Sequence, residues 1–188
     1  MTDEQPSQDR PLQLIVMRHA KSDWGDHKLS DHERPLNARG NRDAPAMAGW
    51  MATNGLFPDV ILSSSSTRTQ QTVAALLECW SSKLNTAPTV SFTDALYLAI
   101  PEQIAATIRS DHCGARSLMI VAHNPGMSSI VSQLSGQSIE MPTAAVAVFD
   151  WPSQDGPGEW SRFSLNRQLS LTYLMRPKAL GHASKDET

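Results

Sequence analysis

Short apolar runs recur along this chain, each closed by polar residues and followed by a longer stretch with apolar residues at helical spacing. The first is Leu14-Ile15-Val16-Met17, which stops abruptly at Arg18-His19. Similar runs follow in Asp59–Ser63 after Pro58, more weakly in Thr89–Thr93, in Ser117–Ala122, in Ala144–Phe149 and in Leu171–Met175. Continuous apolar runs of this length fit strands buried on both faces of a sheet. Between them, Ala44, Met47, Ala48 and Met51 form an i, i+3, i+4, i+7 stripe, with Asn37 as expected N-cap and Gly55 just past the end. Pro45 is expected to kink that helix or delay its regular start. A second stripe, Val73, Leu76, Leu77 and Trp80, follows Ser66 or Thr67 as N-cap and puts Arg68 in the first turn. Pro101 opens a third helix, and Asn124 as N-cap with Pro125 at the first helical position opens a fourth. Strands alternating with helices predict right-handed βαβ units in a three-layer α/β/α sandwich with a mostly parallel central sheet.

A chain of 188 residues is most simply one domain. We place it at 11–180, with a Pro/Gly-rich turn around Trp151–Gly158 and polar tails at 1–10 and 181–188. The formal net charge of −3 gives no reason to expect a nucleic-acid or anionic-membrane partner. Cys79 and Cys113 stand far apart and form no CxxC pair, so neither a disulfide framework nor a zinc site is indicated. No apolar stretch reaches the length of a membrane span, and the amino terminus is polar, not a basic leader before an apolar segment. A cytoplasmic setting is the expectation.

Topology turns scattered residues into a candidate site. His19, Arg68 and His123 each follow a predicted strand or open the next helix, so a parallel sheet gathers them along its carboxyl edge. Each alone has an ordinary reading: a strand ending, a solvated arginine, a histidine bonded to a loop carbonyl. The loop charges Lys21, Asp23, Asp26 and Asp31 read individually as solvated. Together with Arg18, however, two histidines and two arginines beside helix N-termini make a site for a dianion such as phosphate. A neutral imidazole is a competent nucleophile, and neighbouring arginines disfavour the imidazolium, so His19 is the candidate nucleophile. Phosphoryl transfer requires mainly positioning and charge stabilisation, which Arg18, Arg68 and His123 would supply without a metal or cofactor. Other apparatus is missing: no GxxxxGK[ST] loop, no cysteine with an arginine six positions on, no HExxH or HxH cluster and no GxSxG elbow.

Four ordered motifs carry a resemblance. They are Leu14-Ile15-Val16-Met17-Arg18-His19-Ala20-Lys21-Ser22, Arg34-Pro35-Leu36-Asn37 with Arg39-Gly40, Ile61-Leu62-Ser63-Ser64 with Arg68-Thr69-Gln70-Gln71-Thr72, and Val121-Ala122-His123-Asn124-Pro125-Gly126. Together they resemble the histidine phosphatase (phosphoglycerate-mutase-like) superfamily. The short form Arg18-His19-Ala20-Lys21-Ser22 and the ending Leu174-Met175-Arg176-Pro177-Lys178-Ala179-Leu180 are similar to its small branch, which includes bacterial phosphohistidine phosphatases. The resemblance implies that His19 accepts the phosphoryl group, that water then hydrolyses the phosphohistidine, and that Arg18, Arg68 and His123 hold the phosphoryl oxygens, with Lys21 a further candidate for substrate binding. It also implies a carboxylic acid after the third strand to protonate the leaving group. Asp94 is the candidate and Glu102 the second, although the family's usual glutamate is missing there.

The expected substrate is a phosphorylated protein, such as a histidine-phosphotransfer or phosphorelay protein in signal transduction. The alternatives are a small phosphometabolite, as for a sugar-phosphate or nucleotide phosphomonoesterase, and a non-catalytic phosphoprotein-binding module. A mutase fits less well, because the insertions that enclose small metabolites in larger relatives have no counterpart here. The few residues between Asp94 and Pro101 predict an open, shallow pocket unless the polar Lys21–Pro35 loop folds over it.

Overall fold

The computed structural model describes residues 11–151 and 156–181. The expected tail at 1–10, that at 181–188 apart from Gly181, and part of the turn after Trp151 lie outside the described residues. Six strands, β1 (Leu12–Arg18), β2 (Val60–Ser64), β3 (Thr89–Thr93), β4 (Ser117–Ala122), β5 (Val146–Trp151) and β6 (Ser170–Met175), form one sheet in the order β3-β2-β4-β1-β5-β6. β3, β2, β4 and β1 pair in parallel, while β5 runs antiparallel to both β1 and β6. The helices α1 (Ala38–Thr53), α2 (Thr67–Trp80), α3 (Pro101–Asp111) and α4 (Gly126–Ser135) complete an α/β sandwich.

Alternation along β1 explains the layers, because successive side chains on a strand point to opposite faces. Leu14 and Val16 enter the core that Ile104 and Ile108 of α3 share with Met127, Ile130 and Leu134 of α4. Ile15 and Met17 enter the opposite core, with Met47 and Met51 of α1 and Val73, Leu76 and Trp80 of α2. The Trp80 indole donates to the Ala48 carbonyl at 3.0 Å and ties α2 to α1. Both β1 faces are therefore covered, which is why its sequence shows no polar alternation.

Of the two effects expected of Pro45, a kink or a delayed start, the delay is absent, and the N-cap expected for the fourth helix is corrected. Pro45 does not delay α1, which begins directly after Asn37, whose side chain accepts the Gly40 N–H at 2.9 Å. The proline sits on the exposed face, where the carbonyl it leaves unpaired can reach water. The fourth helix begins at Gly126 with Pro125 as N-cap, so Asn124 is not the cap. Asn124 and Pro125 join through a cis peptide, and the Asn124 carboxamide instead accepts from the backbone and hydroxyl of Ser128 at 3.2 and 3.1 Å.

Candidate active site

The carboxyl ends of β1, β2 and β4 lie side by side, and each delivers a polar residue. β1 ends at Arg18, and the next residue, His19, is held by its own N–H, which donates to the Ala122 carbonyl at the end of β4 at 3.1 Å. β2 ends at Ser64, and after two intervening residues α2 starts at Thr67, with Arg68 in its first turn. β4 ends at Ala122, directly before His123. These side chains converge although more than a hundred positions separate the first from the last. The His19 and His123 rings stand 5.0 Å apart, and His19, Arg68 and His123 are only 7%, 4% and 1% exposed.

Hydrogen bonds fix both imidazole tautomers. His19 Nδ1 lies 2.7 Å from the Ala20 carbonyl, which can only accept, so Nδ1 carries the proton and the lone pair is left on Nε2. His123 Nδ1 lies 3.2 Å from Arg68 Nη2, which can only donate, so the proton is on Nε2 and goes to the Ser64 hydroxyl at 2.8 Å. Burial lowers the pKa of His19 to about 4, with the charges of Arg68 and Arg18 adding to the effect. His123 is lowered to about 3, first by burial and then by His19 and Arg68. Both rings are thus neutral at physiological pH. The expected neutrality of His19 stands, but its main cause is desolvation and not the arginines.

Arg18 donates through Nη1 to the Met141 carbonyl at 3.0 Å, while its buried Nε has no hydrogen-bond partner. A buried, unpaired N–H on a cation is costly unless an anion takes it. Arg68 is engaged on both sides. Its Nη1 donates to the backbone carbonyl of Asp31, and its Nη2 donates to the Asp31 carboxylate at 2.9 Å.

Asp31 corrects the reading of the Lys21–Pro35 loop as solvated. Its carboxylate accepts from Arg68, from Arg34 Nη1 at 2.8 Å and from the Tyr97 hydroxyl at 2.6 Å. Although Asp31 is partly desolvated, these bonds and charges hold its carboxyl below the usual carboxylate range. Arg34 anchors the loop through the Asp23 carbonyl at 2.7 Å and the Ser22 hydroxyl at 2.9 Å, and it stacks on Trp24. The loop therefore folds over Arg68, and the pocket is more covered than the short β3–α3 connection suggested.

The remaining candidates lie farther out. Asp94, in a 3-10 turn after β3, accepts from the Ser65 hydroxyl, which also bonds His32 at 2.9 Å. It is thus joined to the pocket's outer rim through Ser65, next to Ser64. Glu102, on α3, lines a separate depression with Arg109 and Gln133. The Lys21 backbone carbonyl accepts the Asn37 N–H at 3.0 Å, and no bond of its side chain is seen among the described residues. Sequence reasoning missed Asp31, Ser64 and Tyr97, because an isolated loop acid, a strand-end serine and an aromatic after a turn have no periodicity to reveal them. No group of three or more metal-ligating side chains is seen among the described residues. No helix among them is long and apolar enough to cross a membrane.

Residues 14–91 match the family model described as histidine phosphatase superfamily (branch 1). An uncharacterized chloroplastic protein of Arabidopsis thaliana is 31% identical over 170 residues, spanning 82% of this chain and 77% of that protein. An uncharacterized protein of Mycobacterium tuberculosis is 34% identical over 131 residues, spanning 70% of this chain and 76% of its own. Among solved structures, one assigned to a phosphohistidine phosphatase SixA of Agrobacterium tumefaciens superposes with a TM-score of 0.72 at 25% identity, covering 89% of this chain and 99% of that one. Ordered motifs, sheet topology and these relatives agree: the chain belongs to the histidine phosphatase superfamily and has the fold seen in SixA.

Proposed function

We propose that this protein is a metal-independent phosphohistidine phosphatase that acts on protein substrates through a phosphoenzyme on His19. The observation that carries the reading is the His19 ring: buried, neutral, with Nδ1–H bonded to the Ala20 carbonyl, so that Nε2 keeps the lone pair, and within the electrostatic reach of Arg68 and Arg18. A lone pair held beside fixed cations is arranged to attack phosphorus rather than to bind a proton.

In the first step His19 Nε2 forms a bond to phosphorus as the bond from phosphorus to the substrate imidazole breaks. A phosphoimidazole that already carries a proton on its other nitrogen leaves as neutral imidazole, so it requires little acid catalysis. Arg18 Nε and the Arg68 fork would stabilise the charge on the equatorial oxygens, with the Asp31 carboxylate exchanged for phosphoryl oxygens on Arg68. In the second step water attacks phosphorus, the His19–phosphorus bond breaks, and the water proton leaves with phosphate. His123, expected to hold a phosphoryl oxygen, has both ring nitrogens bonded, to Arg68 and Ser64, so we assign it instead to positioning Arg68. For an ester, whose alkoxide leaves less readily, we assign the proton donor to Asp94, whose carboxylate bears no ion pair among the described residues, unlike that of Asp31.

Two features favour a protein over a metabolite. The connection from β3 to α3 is only Asp94–Ile100, so no inserted domain encloses the site. Trp24 in the Lys21–Pro35 loop and Leu98 and Ile100 in the β3–α3 connection, two segments that meet at the Asp31–Tyr97 bond, are apolar and exposed, which fits contact with another protein surface. The family likeness to SixA points the same way. A cytoplasmic setting and a phosphorelay partner belong to this proposal. The test compares hydrolysis of a phosphohistidine protein, an aryl phosphate and a panel of phosphometabolites. Phosphohistidine should be turned over with the highest kcat/KM, and His19→Ala should abolish turnover together with the acid-labile phosphoenzyme. A higher kcat/KM on any phosphometabolite would overturn the substrate assignment, and near-normal activity of His19→Ala would overturn the mechanism.

A further inference from the structure

A second cationic site lies behind the wall of the first. A cleft of about 520 Å³, open mouth included, is lined by Arg39 and Arg42 of α1, by Arg176 and Lys178 at the chain's closing turn, and by Asp43 and Thr143. Four cations face one carboxylate there, on a chain whose formal net charge is −3. Arg39 donates to the Thr143 hydroxyl at 3.0 Å and pairs with Asp43 at 3.7 Å, while Arg176 reaches the Glu140 carbonyl at 3.3 Å. Arg42 and Lys178 are exposed and carry no ion pair among the described residues.

The cleft and the catalytic pocket share the segment Glu140–Ala144. Its Met141 carbonyl holds Arg18 on the pocket side, its Thr143 hydroxyl holds Arg39 on the cleft side, and the Ala144 N–H is bonded to the carbonyls of Arg18 and His19. Two residues of backbone span at most about 7 Å, and an extended peptide advances roughly 3.3 Å per residue. The shared segment sets the expected reach, from phosphorus at His19 to the cleft, at two to four residues of extended peptide.

We propose that this cleft is a substrate subsite that takes an acidic side chain two to four residues from the phosphorylated histidine. The inference rests on the protein-substrate reading given above. The form of the cleft favours a peptide carboxylate over a compact second phosphate. Its cations are separate long side chains from two elements, two of them in solvent, and not converging donors in a closed cradle. Arginine forks match carboxylates, and such rim charges act mainly through affinity and encounter rate.

The test uses the full chain and the double variant Arg42→Ala/Lys178→Ala, neither residue being part of the catalytic pocket. Two phosphohistidine peptides are compared, one with Asp or Glu two to four residues from the phosphorylated position and one with Ala there. In the unaltered protein the acidic peptide should have a KM several-fold lower. The double variant should lose most of that advantage, by about three- to tenfold for two exposed charges, while its kcat/KM on an aryl phosphate stays within twofold. Raising the salt to several hundred millimolar should erase the difference as well. The Kd of a fluorescent unphosphorylated acidic peptide, measured by anisotropy, requires no turnover and should rise in parallel. An equal preference in both proteins, or no tighter binding of the acidic peptide, would overturn the subsite. Failure to hydrolyse either phosphopeptide while the Kd values still differ would instead overturn the phosphohistidine assignment alone.

Discussion

Asp31 is clasped by Arg68: the guanidinium donates to its carboxylate at 2.9 Å and, through the other nitrogen, to its backbone carbonyl. A carboxylate thus occupies the fork that a phosphoryl group would use, and it comes from a loop distant in sequence. Its side chain is 46% exposed against 4% for Arg68, so the pair sits where the pocket meets solvent. In the proposed mechanism a phosphoryl dianion competes with Asp31 for Arg68.

Removing the internal competitor should therefore tighten anion binding. Asp31→Ala is expected to lower the inhibition constant of inorganic phosphate by about three- to tenfold at low salt, the scale of one partly exposed, hydrogen-bonded ion pair. Asp31→Asn, which keeps the size and the Tyr97 contact, should shift it in the same direction. A weaker phosphate affinity in both variants would show that Asp31 holds Arg68 in place for the phosphoryl group and does not compete with it.

The histidines set a pH dependence of definite sign. His19 and His123 ionise near pH 4 and 3 in the folded chain, against about 6.5 when unfolded. Below 6.5 the unfolded chain binds more protons, so folding stability is full above 6.5 and is lost progressively as the pH falls toward 4. Urea unfolding at pH 7, 6, 5 and 4.5 should show this decline, and it should be smaller in His123→Phe. By NMR, the His19 ring should show no titration between pH 5 and 8. An inflection near 6.5 would remove the neutral-nucleophile argument.

Asp94→Asn separates the two carboxylates. Its rate on an alkyl phosphate should fall at least tenfold, within the usual scale of general acid catalysis, and its rate on phosphohistidine should fall less than threefold. Equal losses on both substrates would remove Asp94 as the leaving-group acid.

Two glycines of α1 should respond oppositely. A Cβ on Gly40 would lie 2.2 Å from the Lys21 carbonyl oxygen, so Gly40→Ala must push the start of α1 away from the loop after His19. A stability loss of about 1–3 kcal/mol is expected, the range for overpacking, with a parallel loss of activity. Gly49 has nothing within 4 Å of such an atom, so Gly49→Ala should stabilise by about 0.5–1 kcal/mol through helix propensity alone. Denaturant midpoints with unchanged m-values check both.

The sequence by itself determined the architecture and which four residues, Arg18, His19, Arg68 and His123, meet at one edge of the sheet. Buried strands carry unbroken apolar runs and helices carry a 3.6-residue stripe, and both signals are local. A parallel sheet then brings Arg18, His19, Arg68 and His123 to one edge whatever the loops do. The antiparallel insertion of β5 beside β1, the later start of α4 and the continuity of α1 through Pro45 were decided by strand pairing and solvent exposure, which no local pattern records. The tertiary structure alone decided the His123 tautomer, because it depends on partners far away in sequence, Arg68 and Ser64. It also made Asp31 part of the site and joined Arg39 and Arg42 to Arg176 and Lys178 across more than 130 positions. Charges placed by loops leave no periodicity, so their meaning appears only when the chain has folded and their neighbours are known.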